Sequence, residues 1–107
     1  MIYEYRVYEA MPGKLPALNE RFRRVTLRLF EKHGLKVMGF WENVIGISNQ
    51  LMYILAFQNL ADRERSWGAF AADPDWQAAR AESEKDGPLV ARIHNAIWRP
   101  TDYSPMR

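Results

Sequence analysis

The run Leu51-Met52-Tyr53-Ile54-Leu55-Ala56-Phe57 decides the fold. Seven apolar residues cannot cross a bilayer, which takes about 20 as a helix. They are the length of a buried strand. Alternation sends Leu51, Tyr53, Leu55 and Phe57 to one side and Met52, Ile54 and Ala56 to the other. Both sides are apolar, so this strand belongs in a sheet covered on both faces.

Upstream, Lys36 to about Val44 alternates as a second strand, and Ser48-Asn49-Gln50 is a polar turn, which makes an antiparallel hairpin with the run. Downstream, Asn59 is an N-cap with Asp62 three residues on, and a helix is expected over Leu60 to Ala72. Asp73-Pro74-Asp75 restarts a shorter helix, which extends to about Lys85 and is stopped by Gly87-Pro88. Leu89 to Arg99 forms another strand, and the tail Pro100 to Arg107 is expected to be extended. At the other end, Ile2 to Glu9 alternates as a strand and Met11-Pro12-Gly13-Lys14 is a turn. Leu15 to His33 carries Leu15, Leu18, Phe22, Val25, Leu29 and Phe30 on one helical stripe. Arg21, Arg23, Arg24, Arg28 and Lys32 fall on the other faces, as a solvated surface, and Gly34 ends the helix in a left-handed turn.

The order β-α-β-β-α(α)-β is the ferredoxin-like α+β arrangement: a four-stranded antiparallel sheet with helices on one face, in one domain over residues 1–107. The other face is also apolar and needs a cover. A second copy supplies it most simply, so a sheet-to-sheet homodimer is expected.

Composition removes several chemistries. The 107 residues contain no Cys and two His, at positions 33 and 94. Disulfides, thiolate zinc sites, iron–sulfur clusters and multi-histidine centres in one chain are excluded, so no metal and no cofactor are expected. Fifteen basic against thirteen acidic residues is too mild an excess to imply nucleic acid. Met1 to Ala10 carries charges where a signal peptide would be apolar, so a cytoplasmic protein without membrane contact is expected.

Glu4, Arg6 and Tyr8 share one side of the first strand. Arg6 is suited to hold an anion and Tyr8 to donate a hydrogen bond, while a plain Glu4–Arg6 ion pair explains the same residues without a ligand. The last strand pairs with the first in this topology. That adds Arg92 and His94 to the polar group, with Arg6 paired and His94 bordering a cavity. His94 is a residue type that serves as a general base; a hydrogen-bonded histidine without chemistry is its alternative. His33 complements the helix C-terminus. Trp67, Phe70 and Trp76 fit core packing. Trp41 and Trp98 lie on the sheet, where either could face a ligand, a helix or a partner, and Tyr53 could act beside His94 in a sheet–helix pocket. Arg6, Tyr8, Trp41, Tyr53 and His94 are thus the ligand-pocket candidates. No Gly-rich phosphate loop or serine nucleophile elbow occurs.

Taken in order, Met1-Ile2-Tyr3-Glu4-Tyr5-Arg6-Val7-Tyr8, Pro12-Gly13-Lys14, Lys32-His33-Gly34, Gly39-Phe40-Trp41, Leu60-Ala61-Asp62-Arg63-Glu64-Arg65, Asp73-Pro74-Asp75-Trp76, Arg99-Pro100 and Tyr103-Ser104-Pro105 resemble a bacterial member of the NIPSNAP family. The resemblance implies a dimeric α/β barrel of two ferredoxin-like chains. The wider superfamily includes cofactor-independent monooxygenases and haem-degrading proteins, whereas the NIPSNAP members have no agreed activity. Many members carry His then Trp where this chain has Tyr53 and Leu55, so chemistry needing that imidazole is not implied. The expectation is a small homodimer binding an apolar or aromatic ligand. A cofactor-independent monooxygenase or isomerase and a non-catalytic interaction module are the alternatives.

Overall fold

The computed structural model describes residues 1–107. Strand β1 spans Ile2–Ala10, β2 Lys36–Trp41, β3 Gln50–Phe57 and β4 Val90–Trp98. They form one antiparallel sheet in the order β2-β3-β1-β4. The helices are α1 (Leu15–Arg21), α2 (Leu27–Lys32), α3 (Leu60–Ala72) and α4 (Pro74–Ser83). This is the ferredoxin-like α+β fold, with the apolar run Leu51 to Phe57 on an inner strand.

Local chemistry sets the helix ends. The Asn59 side chain accepts a hydrogen bond from the Asp62 amide at 2.8 Å, and the Asp62 carboxylate accepts one from the Gln58 amide at 3.1 Å. Asp73 caps α4 by accepting from the Asp75 amide at 2.8 Å. Its other oxygen accepts from Lys32 at 3.1 Å and lies 2.6 Å from His33 Nε2. The end of α2 is therefore tied to the start of α4, a link that adds to His33's expected place at a helix C-terminus. Gly34 has φ +78°, which costs a glycine nothing. That turn lets the Leu35 amide reach the Phe30 carbonyl at 2.9 Å and closes α2 in a Schellman motif.

One helical feature departs from expectation. Phe22–Thr26 is a π-helical turn between α1 and α2. Its extra residue advances the phase of the buried stripe. Thr26 is buried where even periodicity placed Val25, and Arg21 is turned inward with it. Strand β2 is shorter than expected and ends at Trp41, not Val44. Val44 and Ile45 lie almost wholly exposed in the loop to β3. The tail also differs, since a turn closes between Thr101 and Ser104. Pro100 and Met106 border a small pocket with Tyr3, Ile54 and Trp98.

The register assigns the two faces of the sheet. Arg6 pairs with Tyr53 and Asn95, and Glu4 with Leu55 and Ile97. Directly paired residues share a face. Glu4, Arg6 and Tyr8 therefore lie with Leu51, Tyr53, Leu55 and Phe57 under the helices. Phe22, Phe30, Phe40 and Tyr53 form an aromatic cluster there, with centroids 5.1 to 6.1 Å apart. Each such contact contributes about 0.5–1.5 kcal/mol beyond area burial. The open face carries Tyr3, Tyr5, Val7, Ile54 and Trp98, with Tyr5 stacked on Trp98 at 4.9 Å. No helix is long and apolar enough to cross a membrane.

Candidate functional site

Glu4 is the buried centre of the polar group, with no exposed side-chain surface. Its carboxylate accepts five hydrogen bonds: two from Arg63 at 2.9 and 3.1 Å, and one each from Trp67 at 2.9 Å, Asn95 at 3.0 Å and Arg6 at 3.0 Å. Burial alone would raise its pKa. The hydrogen bonds from Arg63, Trp67, Asn95 and Arg6 outweigh that and hold it at about 2. An ionised carboxylate with every lone pair occupied is a structural hub and has no capacity left as a base.

Arg6 is equally committed. Nη1 donates to Glu4, Nε donates to the Tyr53 hydroxyl at 3.0 Å and Nη2 reaches the Tyr8 hydroxyl at 3.5 Å. Its guanidinium lies over the Trp67 ring, 4.5 Å from the centroid. The expected Glu4–Arg6 pair thus exists, and it sits inside a larger network with α3.

The Tyr53 and Tyr8 hydroxyls are 2.8 Å apart. Tyr53 is completely buried, and burial holds its phenol protonated, well above the ordinary tyrosine range. A buried O–H needs an acceptor. Both hydroxyl oxygens accept from Arg6, and either hydroxyl can donate the bond between them. With Tyr53 as donor, the Tyr8 proton is left for a group in the pocket.

Tyr8 opens onto a pocket of about 510 Å³ between the sheet and the helices. Phe22, Phe30, Trp67, Phe70 and Trp76 supply aromatic walls, and Arg6, Arg21, Arg80, Arg92 and Glu84 supply charge. Val90 and Ile93 of β4 form the opposite rim. The π-helical turn brings Phe22 and Thr26 to this pocket and Arg21 with them. Such turns concentrate at functional sites.

The candidates divide between the two faces. Arg6, Tyr8 and Tyr53 come together. Trp41 and His94 do not join them: Trp41 is half-exposed beyond Gly39, and the exposed His94 is hydrogen-bonded to Glu9. Arg92 lies near Glu9 as well, 3.7 Å away. Strand parity explains the split, because His94 pairs with Val7, on the side opposite Arg6. Sequence reasoning also missed Arg63, Asn95 and Arg21. Arg63 and Asn95 carried no positional signal. Arg21 sits off the apolar stripe of α1 and was expected in solvent, yet it is buried. No three His, Cys, Asp or Glu side chains converge in a metal-binding group.

The sheet order, the helices on one face and the sheet–helix pocket define a ferredoxin-like α+β protein. The sequence pattern of the NIPSNAP family matches residues 3–105, and the chain belongs to that family. A NIPSNAP family protein from Agrobacterium tumefaciens is 27% identical over 99% of this chain and 98% of its own, with a TM-score of 0.89. An uncharacterised NIPSNAP-like domain protein from Burkholderia xenovorans is 27% identical over 97% of this chain and 88% of its own, with a TM-score of 0.86. A protein from Nitrosomonas europaea, provisionally assigned as an antibiotic biosynthesis monooxygenase, shares the fold at 12% identity over 94% of this chain and 98% of its own, with a TM-score of 0.62. No protein of curated function matches the chain.

Proposed function

We propose that this chain works as a cytoplasmic homodimeric α/β barrel, and that each protomer binds one small apolar or aromatic ligand between its sheet and its helices. The pocket carries the proposal: five aromatic side chains border about 510 Å³, with the Tyr8 hydroxyl at the wall and charged groups beside it. Aromatic walls with convergent polar groups are what small-ligand sites share. The dimer rests on the open face, where Tyr5, Ile54 and Trp98 form an apolar surface without helices. Calorimetric titration with a neutral aromatic alcohol, cinnamyl alcohol, tests the pocket. Saturable binding of one molecule per chain, lost in Trp76→Ala, is expected. Absence of saturable binding by cinnamyl alcohol and by its acid would leave a non-catalytic interaction module as the better reading.

One observation favours catalysis as a second reading. The Tyr8 hydroxyl, backed by Tyr53 and Arg6, is placed to donate a proton or a hydrogen bond to a bound ligand. Proton-transfer chemistry of the isomerase kind, or cofactor-independent oxygenation, would use this group. Tyr8→Phe removes the hydroxyl and leaves the ring. Loss of turnover with retained ligand binding in that variant is the outcome that separates an enzyme from a binder.

A further inference from the structure

Four arginines line the pocket. Arg80 and Arg92 are largely exposed and lie against Glu84 and Glu9, whereas Arg6 and Arg21 are mostly buried and differ in their partners. Every nitrogen of Arg6 has a partner. Arg21 has one hydrogen bond, from Nη1 to the Ser83 hydroxyl at 3.1 Å. The nearest carboxylate oxygen, on Glu84, is 3.9 Å from the same nitrogen, too far for a hydrogen bond. Nε is buried and has no partner at all. The guanidinium lies over the Trp76 ring, 5.1 Å from its centroid, and Trp76 leans on Phe70 at 4.7 Å. Arg21 is thus a buried cation on an aromatic wall, with its Nε–Nη2 edge free of the Ser83 and Glu84 contacts. Glu84 offsets the burial of this cation only in part, and burial lowers the pKa of Arg21. The side-on edge of a guanidinium is one of the two that take a carboxylate through a pair of parallel hydrogen bonds.

We propose that Arg21 seats the carboxylate of the ligand, and that the ligand class is therefore a small aromatic acid. This rests on the pocket proposed above as the ligand site and adds the charge of what enters it. The ring lies against Trp76 and Phe70, and the acid meets Arg21. The Tyr8 hydroxyl adds a hydrogen bond to one oxygen of the same carboxylate.

Cinnamate and cinnamyl alcohol share a carbon skeleton and differ in charge, so their affinities for the intact protein separate the two claims. Wild type is expected to prefer cinnamate by roughly tenfold to a hundredfold, the range of a charged hydrogen-bonded pair. Arg21→Gln is expected to abolish the preference and keep binding of the alcohol. Arg24→Gln removes the same charge from an exposed position one turn on and is expected to retain the preference. Arg21→Lys keeps the charge without the forked edge and is expected to retain part of it. If Arg21→Gln does not fold, Arg21→Lys decides, because an undiminished preference there overturns the seat. Binding of both compounds with equal affinity by wild type overturns the seat and leaves the pocket standing. Binding of neither overturns the pocket and the seat together.

Discussion

The two faces of the sheet reverse the usual division of polar and apolar groups. Under the helices, where an apolar layer is the norm, a carboxylate, two guanidinium groups and two phenols form a connected network around Glu4. On the open face, where polar side chains are the norm, Tyr5, Ile54 and Trp98 present carbon to the surroundings. The difference underlies the separate roles proposed for the two faces. Polar groups under a layer are tolerated only when they are mutually satisfied, and such satisfaction holds donors in fixed directions. That is the ground for the ligand site proposed on the helix side. A contiguous apolar surface is uncommon on a chain that stands alone, which is the ground for the assembly proposed on the open face.

Removing Glu4 breaks the comparison most severely. Glu4→Ala leaves Arg6 and Arg63 without their shared carboxylate under the helices. Loss of one partner from a buried charged network costs about 3–5 kcal/mol. Urea denaturation is expected to show a loss of that size. A loss below about 1 kcal/mol would mean that the network is solvated and that the helix-side face is ordinary.

The open face is broken by charge. Ile54→Asp puts a carboxylate at the middle of the apolar patch, opposite Tyr5. If that patch is a dimer contact of about 1,600 Å² or more, a central substitution weakens association by about 2–4 kcal/mol. Light scattering is expected to shift from a dimer towards the 12.6 kDa chain mass, with the circular dichroism of each chain retained. A wild-type protein already monomeric at low micromolar concentration would remove the assembly role from this face.

Acid sharpens the contrast without mutation. The folded-state pKa of Glu4 is about 2, below its ordinary 4.5. The stability it contributes is present in full above pH 4.5 and is lost as pH falls towards 2. With allowance for screening, that amounts to about 2–3 kcal/mol. The Asp73 carboxyl moves the same way, held well below its usual range by His33, the Asp75 amide and Lys32. Glu4→Gln separates the two, because it removes only the Glu4 share of the acid sensitivity. Equal acid slopes in Glu4→Gln and wild type would show that Asp73 and other carboxylates carry the effect.

The order of strands and helices was legible because caps, turns and periodicity agree at each junction. Asn59, Asp73 and Gly34 stand where their chemistry demands. The faces of the sheet were harder. Strand β3 is apolar on both sides, so its parity does not say which side meets the helices. Only the register, with Arg6 beside Tyr53 and Asn95, settles it. Half of the polar network was visible, since Glu4, Arg6 and Tyr8 alternate within one strand. Its other half comes from α3 and β4, far away in sequence, and nothing local announces Arg63 or Asn95. Arg21 was hidden by a different cause. A π-helical turn breaks the 3.6-residue phase on which the assignment of helix faces depends. The end of β2 was misjudged because no Gly or Pro interrupts the chain between Trp41 and Val44, although pairing with β3 stops at Trp41.

His94 gives the smallest effect and a clean check of which face holds the site. It stands on β4 next to strand β1, and topology alone made it a neighbour of Arg6. Parity puts it on the open face, 56% exposed and paired with Glu9. Exposed pairs of this kind contribute about 0–1 kcal/mol. His94→Ala is therefore expected to change chain stability by less than about 0.5 kcal/mol. The same variant is expected to leave cinnamate affinity unchanged, because the sheet itself separates His94 from Tyr8 and Arg21. Tyr8→Phe is the matched change on the other face, removing one hydroxyl from the pocket wall, and it is expected to weaken cinnamate. If His94→Ala weakened cinnamate severalfold while Tyr8→Phe did not, the ligand would lie on the open face, and the assembly surface and the binding surface would be one.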